Sequence, residues 1–205
     1  MSPPRRRKFS FVLRMAGVLL ALSGLVVLPA CWVFSVNPLY EEDVAKPDPD
    51  LTFAPVLVGS WGRVDDDCLW ILTITANGQV YELTLGPSPQ CKGDQETTRY
   101  EGHLVKLGTH LVLDLSPRHE EVCYSCMPLQ SFLLVQADKD SFTLTPIDDE
   151  WLKKSIEQKR VALSVLPGNS DVLTSSTSDL KAFVRKYADD KDAFKPDSDL
   201  VFHRR

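Results

Sequence analysis

Trp70-Ile71-Leu72-Thr73-Ile74-Thr75-Ala76-Asn77-Gly78-Gln79-Val80-Tyr81-Glu82-Leu83-Thr84-Leu85 is the stretch that decides the fold. Asn-Gly between alternating apolar residues is the strongest short-range hairpin signal, because both central positions of the tightest turn need positive φ. With Asn77-Gly78 as the loop, Ile74 faces Tyr81, Leu72 faces Leu83 and Trp70 faces Leu85, all apolar. The opposite face pairs Thr75 with Val80, Thr73 with Glu82 and Ile71 with Thr84. One side is core and the other is wet, as an antiparallel sheet covered on one face requires.

The same test on Leu107-Gly108 pairs Leu104 with Leu111, Gly102 with Leu113 and Tyr100 with Leu115 on an apolar face. Its other face pairs Val105 with His110, His103 with Val112 and Glu101 with Asp114, a solvated charged surface. Two hairpins that sort this way describe a one-sided sheet curled around a core. Short β-branched and aromatic runs predict further strands near 57–64, 129–136, 140–146, 160–166, 171–174 and 199–203. Asp148 caps a helix running to about Lys159 with Trp151, Leu152, Ser155 and Ile156 on one stripe. Ser176, with Asp179 three residues on, opens a second helix, Leu180 to Ala188, with Leu180, Phe183, Val184 and Tyr187 on one face. Both read as lids packed on the sheet. The fold class is therefore mainly β (α+β): a small antiparallel β-barrel or strongly curled sheet with two short amphipathic helices.

Ahead of this domain, Arg5-Arg6-Arg7-Lys8 precedes an apolar run from Met15 to Leu28, the charged and hydrophobic regions of a signal peptide. The run ends in Leu28-Pro29-Ala30-Cys31, which resembles a bacterial lipobox and implies lipidation of Cys31. The alternative continues the run through Trp32, Val33 and Phe34 to about 20 residues, enough for an uncleaved membrane anchor with its basic end inside. Residues 31–55 are acidic and proline-rich without periodicity and read as a lipidated N-terminus and linker. The expected organisation is thus 1–30 signal, 31–55 linker and 56–205 β domain.

All five basic residues of the first 30 lie apart from any acid, and without them 18 basic residues face 28 acidic ones, a net charge of −10. Such a domain repels nucleic-acid phosphates, so no nucleic-acid partner is expected. Export also decides how Cys68, Cys91, Cys123 and Cys126 are read, because an even number of cysteines in an oxidising compartment points to disulfides. Cys68 shares the inward face with Trp70, and Cys91 lies just past the partner strand, so Cys68–Cys91 is the preferred pairing and Cys123–Cys126 the remainder. The alternative uses His119, Cys123 and Cys126 to hold Zn²⁺ or copper, which suit imidazole and thiolate ligands. Asp65-Asp66-Asp67 lacks the spaced oxygens and glycine of a calcium loop and reads as exposed. No Gly-x-Ser-x-Gly elbow, phosphate loop or His-Glu-x-x-His sequence occurs, and neither a catalytic residue nor a cofactor is expected.

Leu57-Val58-Gly59-Ser60-Trp61 resembles the first strand of lipocalin-type barrels, in which a Gly-x-Trp motif places an indole across the closed end. Together with Asn37-Pro38-Leu39-Tyr40, Glu101 to Gly108, Leu113-Asp114-Leu115 and Asp149 to Lys154, it resembles an uncharacterised group of exported bacterial lipoproteins. The resemblance implies a small lipocalin-like domain on a lipid anchor in the bacterial cell envelope, facing periplasm or exterior. The helix at 148–159 precedes the last strands, a departure from true lipocalins. The function expected is non-enzymatic: binding of a small apolar ligand or of an envelope partner, with metal handling as the alternative. A ligand would be lined by Trp61, Trp70, Leu72, Tyr81, Leu83, Tyr100 and Leu113; the plainer reading makes these residues core, since small barrels are filled by their own side chains.

Overall fold

Eight strands run up and down in sequence order, and the last returns to the first. They are β3 (Gly59–Asp65), β4 (Cys68–Asn77), β5 (Val80–Pro87), β6 (Thr98–Leu107), β7 (His110–Pro117), β8 (Ser131–Ala137), β9 (Ser141–Thr145) and β12 (Leu200–Arg204). Each pairs antiparallel with its neighbour, and β12 closes the ring on β3, so the expected barrel is present. This computed structural model describes residues 33–41, 46–65, 67–91, 96–118 and 129–205. The signal segment, Cys31, His119, Cys123 and Cys126 lie outside the described residues.

Both hairpins sort their faces as expected but in a register displaced by two residues. Ile74 faces Leu83 and Leu72 faces Leu85, with Asn77 opposite Val80. Leu104 likewise faces Leu113, and Leu107 faces His110. The glycines explain the displacement: Gly78 (φ 64) and Gly108 (φ 68) each take the first loop position, followed by Gln79 and Thr109, so the loops are Gly-x rather than x-Gly. A shift of two leaves every side chain on its own face, because the side-chain period of a strand is two.

The barrel interior is a core of Trp61, Leu72, Ile74, Tyr81, Leu83, Leu104, Leu113, Leu115, Leu133, Val135, Phe142, Leu144 and Phe202. A second core lies outside the wall. There Val105, Leu107, Val112, Phe132 and Leu134 of β6 to β8 meet Leu152 of helix α1 (Asp149–Glu157) and Leu180, Phe183 and Val184 of α2 (Thr177–Tyr187). Asp148 caps α1 by accepting from the Trp151 amide at 2.7 Å, and Ser176 caps α2 by accepting from Asp179. The stripes expected to act as lids therefore cover this stretch of wall.

That layer corrects two expectations. The outer face of β6–β7 is not wet: Val105 and Val112 are buried, and Asp114 is 1% exposed and accepts a hydrogen bond from the Leu39 amide. His103, opposite Asp114, packs against Tyr40 with ring centres 4.2 Å apart and the planes tilted by 34°. Residues 31–55, expected as a spacer, are in their described part an ordered strap. β1 (Phe34–Ser35) pairs in parallel with β11 (Asn169–Leu173), which β10 (Val165–Leu166) flanks, and β2 (Leu51–Thr52) pairs with β6. Val33, Ser35, Leu39 and Asp48 are buried. The strap has no periodicity because it is held by isolated anchors rather than by a continuous face.

Candidate functional site at the barrel seam

The sequence-derived ligand lining folds into packing. Trp61, Leu72, Tyr81, Leu83 and Leu113 are all buried in the interior core, Tyr100 is half-buried against it, and Trp70 is half-buried near the rim of β4. One end of the barrel is plugged by the turn Pro55–Leu57. There the Trp61 indole N–H donates to the Leu57 carbonyl at 2.8 Å, and the Tyr81 hydroxyl accepts from the Ala54 amide at 2.7 Å. Burial pushes the Tyr81 and Tyr100 phenols above their ordinary value of 10.0, so both are neutral packing groups. At the other end Cys68 is joined to Cys91, tying the start of β4 to the chain just beyond β5. The plug end is thus packed with buried side chains, while Trp70 and Tyr100 are only half-buried.

The wall itself is incomplete on one side. β12 pairs with β3 at Arg204↔Trp61 and His203↔Gly62, and the Arg205 amide donates to the Ser60 carbonyl. Continued in register, the next hydrogen-bonded rung would join Val64 to Val201, but the described ladder stops at Gly62. β12 instead runs beside β9 as far as Leu200, while β3 continues beside β4 to Asp65, so the two strands diverge. Hydrogen-bonded and non-bonded pairs alternate along an antiparallel ladder. Ser60 and Gly62 turn their main-chain groups toward β12, hence Val64 does too, and Val201 turns its own toward β3.

The divergence opens a groove of about 610 Å³ lined by Gly62, Arg63, Val64 and Leu69 on one bank and Asp199, Val201, His203, Arg204 and Arg205 on the other. Three large apolar residues are exposed among the described ones, and two of them, Val64 (71%) and Val201 (39%), face each other here. Gly62 is its floor. A Cβ there would come within 2.9 Å of the Arg205 side chain, so the missing methyl lets the arginine stem lie flat on β3 beside Leu69.

The banks are cationic in an otherwise acidic protein. Three arginines line the groove against the single carboxylate of Asp199, which is engaged by the Thr145 hydroxyl. Arg63 meets Asp65 at 3.5 Å. Arg204 is committed to the plug: its guanidinium lies over Trp61 and donates to the carbonyls of Val56 and Lys139, each at 2.7 Å. Arg205 is the cation that the groove can offer most readily. None of these residues was singled out from sequence. The alternation of Val201 and His203 on an outward face is visible there, but nothing local to either strand announces where their ladder ends.

Compared with protein-family models, with curated proteins and with solved structures, the chain matches none.

Proposed function

We propose that this chain is a non-enzymatic lipoprotein of a bacterial cell envelope, tethered through Cys31, whose β domain docks a partner protein at the seam between β3 and β12. The observation that carries this reading is the contrast between a buried interior core and a wall that exposes Val64 and Val201 across an open groove. An apolar centre with a charged rim is the composition that a docking groove needs. The resemblance of Leu28 to Cys31 to a lipobox supports the tether, and the absence of the commonest hydrolase and nucleotide motifs supports a binding role.

The test is site-specific photo-cross-linking in the native membrane from position 201, with position 75 on the exposed outer face of β4 as the control. A discrete adduct from 201 that weakens in Arg205→Glu and is missing from 75 is expected. Equal adducts from both positions would overturn docking at the seam. A small apolar ligand is the second reading, and the half-buried Trp70, Leu85 and Tyr100 toward the disulfide-tied end of the barrel favour it. Metal handling by His119, Cys123 and Cys126 predicts free thiols and a bound metal in the protein's native mass.

A further inference from the structure

Resting on the docking reading, we infer that the partner presents an extended, acidic segment that adds as a strand to the open edge of β3 at Val64. An edge strand offers unpaired N–H and C=O groups that template another strand, and short peptides bind folded sheets in this way. Here the register fixes the template. Val64 turns both main-chain groups into the groove, and the Val201 groups face them from the opposite bank, where the β3–β12 ladder is not continued. An extended segment satisfies these groups with its own backbone, which a compact ligand cannot do.

Side chains of such a segment alternate between two faces. One set lies outward over Val64, Leu69 and Val201 and is matched by apolar residues. The charge of its flanks follows from the banks: Arg63, paired with Asp65, Arg204, held by the plug, and Arg205 set three positive charges against the carboxylates of Asp199 and Asp65. Carboxylates beside the apolar residues are therefore attracted and a basic segment is repelled, the more so because Arg is suited to paired bonds with a carboxylate. A second copy of this chain pairing edge to edge is the competing occupant, and the net charge of −10 beyond residue 30 opposes self-association.

The experiment uses the full chain in detergent micelles, isotope-labelled and titrated with a blocked peptide of alternating Val and Glu, then with its Val and Lys counterpart. The amide resonances of Val64 and Val201 are expected to move with the acidic peptide, which should bind about tenfold more tightly than the basic one. Val64→Pro, at an exposed edge where proline is tolerated, should lower affinity about tenfold by removing the donor. Arg205→Glu should erase the preference for acid while leaving the melting temperature unchanged. Equal binding of both peptides, or undiminished binding by Val64→Pro, would overturn strand addition, and so would a doubled mass in the absence of peptide. If the peptides fail while the cross-link from position 201 persists, docking stands and strand addition falls; if both fail, docking falls as well.

Discussion

The guanidinium of Arg204 lies 4.1 Å from the centre of the Trp61 ring. The last strand thus grips the first through a cation on an aromatic face, at the point where the barrel closes and the plug turn Pro55–Leu57 seals it. Trp61 meets Phe142 edge-on at 4.7 Å between ring centres, and Phe142 stacks on Phe202, so this end is an aromatic cluster with an arginine lid.

Trp61→Ala should cost about 3–5 kcal/mol, the loss for a fully buried large aromatic. Arg204→Ala should cost about 1–2 kcal/mol, since it removes one cation–aromatic contact and leaves exposed carbonyls to water. Chemical denaturation of the two variants checks the order, and an Arg204→Ala loss as large as that of Trp61→Ala would contradict it.

Two glycines should respond differently to alanine. A Cβ at Gly102 would meet Leu115 and Leu83 at 3.0 Å inside the barrel, so overpacking should cost about 1–3 kcal/mol. At Gly78 nothing lies within 4 Å, and the φ of 64 alone sets a cost of about 1 kcal/mol. Melting temperatures of Gly102→Ala and Gly78→Ala measure the difference.

Lys181 of α2 reaches Asp48 at 2.6 Å and Asp50 at 2.9 Å, clasping the N-terminal strap to the helical layer, and the Asp48 side chain is fully buried. Burial alone would raise the Asp48 carboxyl; the Lys181 hydrogen bond, the amides of Asp50 and Glu41 and the lysine's charge outweigh it and hold the group below its ordinary 3.8. For Lys181 burial pulls down, but its two aspartates hold it above its ordinary 10.5. A depressed acid stabilises the fold above its unfolded value and loses that contribution as pH falls through the folded one. A raised lysine stabilises below its unfolded value and loses its contribution as pH rises through the folded one. The clasp should therefore be fully effective between 3.8 and 10.5 and weaken on both sides. Asp48→Ala should cost about 3 kcal/mol at neutral pH, and comparing its pH–stability curve with that of the unsubstituted chain isolates the clasp.

Cys68 and Cys91 close a loop of sequence separation 23. Replacing both by serine should cost about 3 kcal/mol from the freedom returned to the unfolded chain, with the barrel retained. Denaturation with and without reductant should show a smaller effect of reductant in the double variant, where only Cys123 and Cys126 remain to be reduced, than in the unsubstituted chain.

What could be read from sequence follows the physics of each element. The inward positions of β4 to β7 were legible because strand alternation survives a two-residue change of register, and the helix caps at Asp148 and Ser176 because a capping side chain is a local signal. The pairing of Cys68 with Cys91 followed from the shared inward face. The outer face of β6–β7 misled, because Asp114 and His103 read as solvated while the strap and helices that cover them come from distant sequence. The seam was invisible for a related reason: Val64 and Val201 are ordinary strand residues, and only the divergence of β3 from β12 leaves their edges apart.

Amide hydrogen exchange at Gly62 and Val64, resolved residue by residue in the full chain, tests the open seam most directly. The expected result is slow exchange at Gly62, whose rung with His203 is made, and exchange faster by about a hundredfold or more at Val64, whose edge opens into the groove. Equal protection at the two positions would mean that the ladder runs on to Val201, the wall is closed and no groove exists there for a partner.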